Sequence, residues 1–123
     1  MEQTVEISKI LDYNLPIDYC TYYSKLLSLN IKPNLFKVNG NEKMIRYLYS
    51  MDNDSKISIM KFQNIYSQYK NKLVPFAELE FVDNLCFNKD DNSIVYYKHE
   101  EDTIIELADT WDTFQNKLYE EVK

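Results

Sequence analysis

The sequence predicts an α+β fold, a mainly antiparallel sheet of about five to six strands with helices packed against it. Three observations carry this expectation. From Leu73 to Lys98 the chain reads as three short strands separated by polar turns. Asn39-Gly40 stands between two apolar runs, a strong short-range hairpin signal. The stretches before, between and after these strands carry apolar residues at the three-to-four spacing of helices.

Taken in order, Thr4 to about Tyr13 places Val5, Ile7, Ile10 and Leu11 on one face of a short amphipathic helix. Asn14-Leu15 breaks it. Pro16 suits the first position of a second helix, where no N–H partner is needed, and Asp18 in the first turn favours the helix dipole. Tyr19, Tyr22/Tyr23, Leu26/Leu27 and Leu29 extend this helix to about Leu29, and Asn30 to Asn34 ends it. The hairpin follows, Leu35–Val38 and Lys43–Ser50 around Asn39-Gly40. The face carrying Ile45, Tyr47, Tyr49 and Met51 is expected on the core, opposite the face with Arg46, although Leu48 sits on that second face. Asp52-Asn53-Asp54-Ser55 reads as a turn and helix cap. It lacks the glycine and the later bidentate glutamate of a calcium loop. Ile59, Phe62, Ile65/Tyr66 and Tyr69 mark a third helix over about Ile57 to Lys70.

Leu73–Glu78 is the first strand of the central stretch. Its Pro75 lacks a donor N–H, so the strand is an edge, or Pro75 lies at the strand's start or at a bulge. Asn84–Asn88 is the second strand, Lys89–Asn92 a turn, and Ser93–Lys98 the third strand. Thr103–Leu107 reads as one more. Asp109 or Thr110 caps a last helix whose stripe is Trp111, Phe114 and Leu118.

At 123 residues the prior is one domain, spanning 1–123. Hydrophobic content of 45% and aromatic content of 15% argue against disorder. Eleven tyrosines suit half-buried sheets and interfaces, since the ring packs while the hydroxyl stays wet; an AT-rich genome would give the same enrichment. The net charge of −6 is uneven: residues 1–70 hold 9 Lys/Arg and 7 Asp/Glu (+2), residues 71–123 hold 5 and 13 (−8). A polyanion such as nucleic acid is therefore a poor direct partner for the C-terminal half, and a basic protein a good one. The alternative is that the acidity only keeps the protein soluble. Cys20 and Cys86 each lie in apolar surroundings and read as buried thiols of a reducing compartment. With no membrane-length apolar run and no secretory signal, a cytoplasmic location is expected.

The residues offer little for catalysis. His99, the only histidine, lies in Lys98-His99-Glu100-Glu101-Asp102, a strand end running into a charged turn. One histidine and two distant cysteines give no zinc spacing, and a single glycine gives no phosphate loop. No carboxylate pair has the apolar setting that would raise one pKa. We therefore expect no enzyme activity, metal or cofactor.

Binding has more material. Glu78, Glu80 and Asp83 follow the Pro-Phe-Ala strand, and Glu100, Glu101 and Asp102 close the third strand. If successive strands are antiparallel neighbours, the two groups lie at related ends of the sheet. Phe81, Tyr96 and Tyr97 are aromatic candidates among them, unless Phe81 and one of the tyrosines are core. The candidate partner-binding set is Glu78, Glu80, Phe81, Asp83, Tyr97, Glu100 and Glu101, aromatics for affinity and carboxylates for steering.

The series Leu15-Pro16-Ile17-Asp18-Tyr19, then Leu73-Val74-Pro75-Phe76-Ala77-Glu78, an aromatic-bearing strand, Val95-Tyr96-Tyr97-Lys98-His99-Glu100, and Leu107-Ala108-Asp109 before a final helix resembles the SUKH superfamily. No single motif is specific; the ordered series, over roughly residues 5 to 118, is. The chain departs from the family at Leu79–Asp83, where members often carry a glycine-rich turn. The family includes yeast cell-wall-synthesis regulators and many bacterial immunity proteins. The resemblance implies an immunity protein that occludes a cognate toxin domain, often a nuclease with a basic cleft. The alternative it implies is a non-catalytic regulatory or scaffold module.

Overall fold

The Asn39-Gly40 pair makes the tight turn that its sequence favours. In the computed structural model, which describes residues 13–51, 72–80 and 83–120, both residues have positive φ, 52° and 83°, as a type I′ turn requires. The turn joins β1 (Leu35–Val38) to β2 (Asn41–Leu48) and puts Val38 opposite Asn41. A Cβ at Gly40 would meet nothing within 4 Å. Gly40→Ala is therefore expected to cost only the left-handed backbone, about 1–2 kcal/mol, read from urea unfolding.

Four more strands follow: β3 (Leu73–Leu79), β4 (Asn84–Asn88), β5 (Ile94–Lys98) and β6 (Thr103–Ala108). Each pairs antiparallel with its sequence neighbour, in the order β1-β2-β3-β4-β5-β6. Pro75 does not mark an edge. Its strand lies between β2 and β4, and the ladder slips between Pro75 and Ala77, so a bulge accommodates the missing donor. A second bulge lies between Ile45 and Tyr47, and the expected face still supplies Ile45, Tyr49 and Met51 to the core. Past it Leu48 turns into the core as well, and Tyr47 is only half-buried.

The sheet curls. Phe36 of β1 comes within ring contact of Tyr96 of β5, centroids 6.5 Å apart. The C-terminal segment closes on β1 through a pair of backbone bonds between Leu35 and Tyr119, 3.0 and 2.9 Å. Residues on β3, β4 and β5 are buried on both sides. Val74, Phe76, Leu85, Phe87, Ile94 and Tyr96 belong to the main core, while Leu73, Cys86, Val95 and Tyr97 form a second cluster with Ile104.

Helix α1 (Ile17–Ser24) and the short α2 (Trp111–Gln115) supply Tyr19 and Trp111 to the main core. Thr110, rather than Asp109, caps α2, its Oγ1 accepting the Thr113 N–H at 3.1 Å. Pro16 stands just before the first helical residue of α1. Helix α1 stops at Ser24, short of the expected Leu29. Leu26 and Leu29 still pack against the core, but the Leu29 carbonyl accepts the Leu48 N–H of β2 at 2.9 Å. The backbone there is bound to the sheet, so apolar spacing continues where helix does not. The expected helices at Thr4–Tyr13 and Ile57–Lys70 and the Asp52–Ser55 turn lie outside the described residues, apart from Tyr13 itself.

Candidate protein-binding cleft

The β3–β4 and β5–β6 turns meet at one end of the sheet because their strands are antiparallel neighbours. Asp83 joins them. Its Oδ2 accepts the Tyr96 hydroxyl at 2.5 Å and its Oδ1 accepts the His99 backbone N–H at 3.0 Å. Asp102, in a left-handed conformation with φ 50°, accepts the Tyr97 hydroxyl at 2.7 Å. These two carboxylates therefore hold the turns in shape.

Beside Asp83 opens a cleft of about 310 Å³ lined by Lys43, Asp83, Tyr96, Lys98, Glu100 and Glu101. Lys43 reaches in from β2 because the sheet curls, its Nζ 5.8 Å from the centre of the Tyr96 ring. Lys98 lies 3.5 Å from Glu101. The lining thus mixes three carboxylates with two ammonium groups, less one-sidedly acidic than the turn sequences alone imply. Glu100 and Glu101 are exposed, as is Glu80.

The candidate residues separate by environment. Asp83, Glu100 and Glu101 share the cleft. Glu80 is exposed in the β3–β4 connection. Glu78 is turned to β2, where it pairs with Arg46 Nη1 at 3.0 Å. Tyr97 is buried, only 1% exposed, so its ring belongs to the second core cluster and is no surface anchor; Tyr96 is buried too. Phe81 lies outside the described residues. Sequence reasoning did not assign Lys43 or Lys98 to this surface. Nothing local to Lys43 signals it, since only the curl of the sheet brings it to β5.

Burial, then the hydrogen bond to Asp83 and that carboxylate's charge, push the Tyr96 hydroxyl's pKa upward. Burial does the same for Tyr49, whose oxygen accepts the Asn84 amide at 2.6 Å, and Glu78 adds to it. Tyr19 is raised chiefly by burial. These phenols stay protonated in the folded state at pH values where the unfolded chain ionises. The folded protein then binds more protons, so stability must fall as pH rises. The expectation is a plateau at neutral pH and loss of stability from about pH 10, the ordinary tyrosine pKa, upward. Urea midpoints across that range, with tyrosinate absorbance, check it.

Among the described residues, no three His, Cys, Asp or Glu side chains are placed to hold a metal ion, and no helix is long and apolar enough to cross a membrane. His99 is exposed in its turn. A second cavity, about 410 Å³, lies beside the start of α1, lined among others by Leu15, Ile17, Asp18 and Trp111. The cleft presents fixed charge and hydrogen-bonding groups on a braced pair of turns, an arrangement suited to gripping another protein's polar surface.

Compared with known proteins, the chain matches the model of the SMI1 / KNR4 family (SUKH-1) over residues 2–117. No curated protein and no solved structure matches it.

Proposed function

Because the chain belongs to the SMI1 / KNR4 family (SUKH-1), we propose that it is an immunity protein. It binds the toxic domain of a cognate bacterial toxin and blocks it one to one, without turnover, cofactor or direct contact with nucleic acid. The observation that carries the reading is the grouping of exposed Glu80, Glu100 and Glu101 around two turns braced by Asp83. Rigid, solvent-facing carboxylates steer a basic surface and fix its register. The active cleft of a nuclease is such a surface, because it must attract phosphates. Occupied by these acids, it no longer admits its substrate. Lys43 and Lys98 in the cleft lining accept acidic groups on the same partner and so narrow its identity. The site of action is the cytoplasm, where the toxin would otherwise work.

The test is growth rescue. The toxic C-terminal domain encoded beside this gene is expressed with and without the protein, and surviving cells are counted. The expected result is survival only with the protein, together with a one-to-one complex whose affinity falls as salt rises. Failure to rescue, or the lack of any toxin gene beside this one, would overturn the immunity reading. It would favour a scaffold module with several weaker partners.

A further inference from the structure

We propose that the outer edge of β6 receives an extended strand of the partner, so that the complex shares one continuous sheet. This inference rests on the immunity reading and says how the contact is made.

A linear strand order leaves two edges. They are treated differently. The edge of β1 is bonded at Leu35, which exchanges two backbone bonds with Tyr119, whose hydroxyl also donates to Glu42 Oε1 at 2.8 Å. Along β6, by contrast, the one hydrogen bond to the strand from outside the β5 ladder, among the described residues, is Lys117 Nζ to the Leu107 carbonyl at 3.0 Å. That bond plugs only the far end. The β6 bulge lies at the same end, where the register shifts between Ile94 and Val95. Thr103 to Glu106 stay in plain antiparallel register with Lys98 to Val95.

Natural edges are usually blunted by lysine, proline or an early bulge. The Thr103–Glu106 run carries one exposed charge, Glu106, and no lysine, proline or bulge. It offers partly exposed Ile104 and Ile105, which pack against the second and main clusters respectively, and exposed Thr103 and Glu106. An added strand would satisfy the outward backbone groups and cover both isoleucines. Main-chain bonds give such pairing its affinity, and side chains give it its specificity.

Charge selects the occupant. Glu100, Glu101 and Asp102 lead directly into β6, and Glu106 lies on it; from His99 to Asn116 there is no lysine or arginine. A second copy would set these acids against one another, with Lys117 at the far end of the strand as the one cation the edge itself carries among the described residues. A partner strand carrying Lys or Arg meets the edge and then the acidic turn of the cleft, which continue into each other along the chain.

Hydrogen exchange tests this on the intact protein, alone and with the toxic domain encoded beside the gene. In the complex, amides within 103–106 are expected to slow by about tenfold or more. Glu106→Lys is expected to weaken binding about tenfold at low salt, and Glu120→Lys, equally acidic but at the far edge, to leave it within about twofold. A complex that forms with unchanged exchange over 103–106 would overturn the strand-addition inference alone. Absence of any complex would instead remove the immunity reading beneath it. Protection of 103–106 that grows with protein concentration without toxin would assign the edge to a second copy and overturn it as well.

Discussion

Trp111→Ala is expected to destabilise the protein by about 3–5 kcal/mol, the usual cost of emptying a buried aromatic site. The indole is fully buried at the first position of α2. It packs against Tyr19, Tyr22, Phe76 and Phe114, with ring centroids 4.9, 5.0, 5.7 and 5.8 Å away. These rings come from α1, β3 and α2, so one truncation loosens both helices from the sheet. A domain of this size has only about 5–15 kcal/mol in hand, so the variant should unfold at a much lower urea concentration. Trp111→Phe should lose far less. The indole Nε1 is buried with no partner among the described residues, so removing it forfeits no hydrogen bond to them and relieves an unsatisfied donor. If the two variants were equally destabilised, packing would not be the cause.

Most of the sheet was legible because its signals are local. Asn39-Gly40 demands positive φ at both positions, and only a hairpin turn supplies it cheaply. The β4 bounds at Asn84 and Asn88 follow from polar residues flanking Leu85-Cys86-Phe87. What escaped depends on partners distant in sequence. Leu26 and Leu29 keep a helical spacing, yet a sheet amide captures the Leu29 carbonyl. The bulge after Ile45 lets Leu48 turn inward while Ile45, Tyr49 and Met51 of the expected face stay buried, and no residue type marks it. Pro75 left three alternatives open, and the choice of bulge depends on β4 lying across from it.

The site was legible as a meeting of two acidic turns, because antiparallel meanders return every second turn to the same end. Its electrostatic detail was not. Asp83 and Glu80 look alike in sequence, but Asp83 is engaged by Tyr96 and His99 while Glu80 faces water. Glu78 resembles them too and is paired with Arg46. Tyr96 and Tyr97 are adjacent, so strand alternation sends them to opposite faces. Both are buried here because the sheet is covered on both sides, which rules out Tyr97 as an aromatic anchor.

That division decides which acids to reverse. Changing Glu80, Glu100 and Glu101 to Lys together is expected to abolish protection against the toxin while the protein stays folded. All three are exposed, and surface substitutions of this kind typically shift stability by about 0.5 kcal/mol or less each. The Lys98–Glu101 pair, at 3.5 Å with both side chains well exposed, adds little to the fold. Each change moves the charge by two, so the protein goes from −6 to 0, and repulsion replaces steering at the contact. Association should slow by about 10–100-fold, and the salt dependence should shrink with it. A Glu→Gln version of the same triple should fall between, since it removes attraction without adding repulsion. Glu78→Lys is the contrasting change. It breaks the Arg46 pair inside the β2–β3 ladder, so it should lower stability and leave protection intact wherever the protein remains folded. If instead Glu78→Lys abolished protection and the exposed triple did not, the contact would lie on the β2 side of the sheet and the cleft would not be the toxin-binding surface.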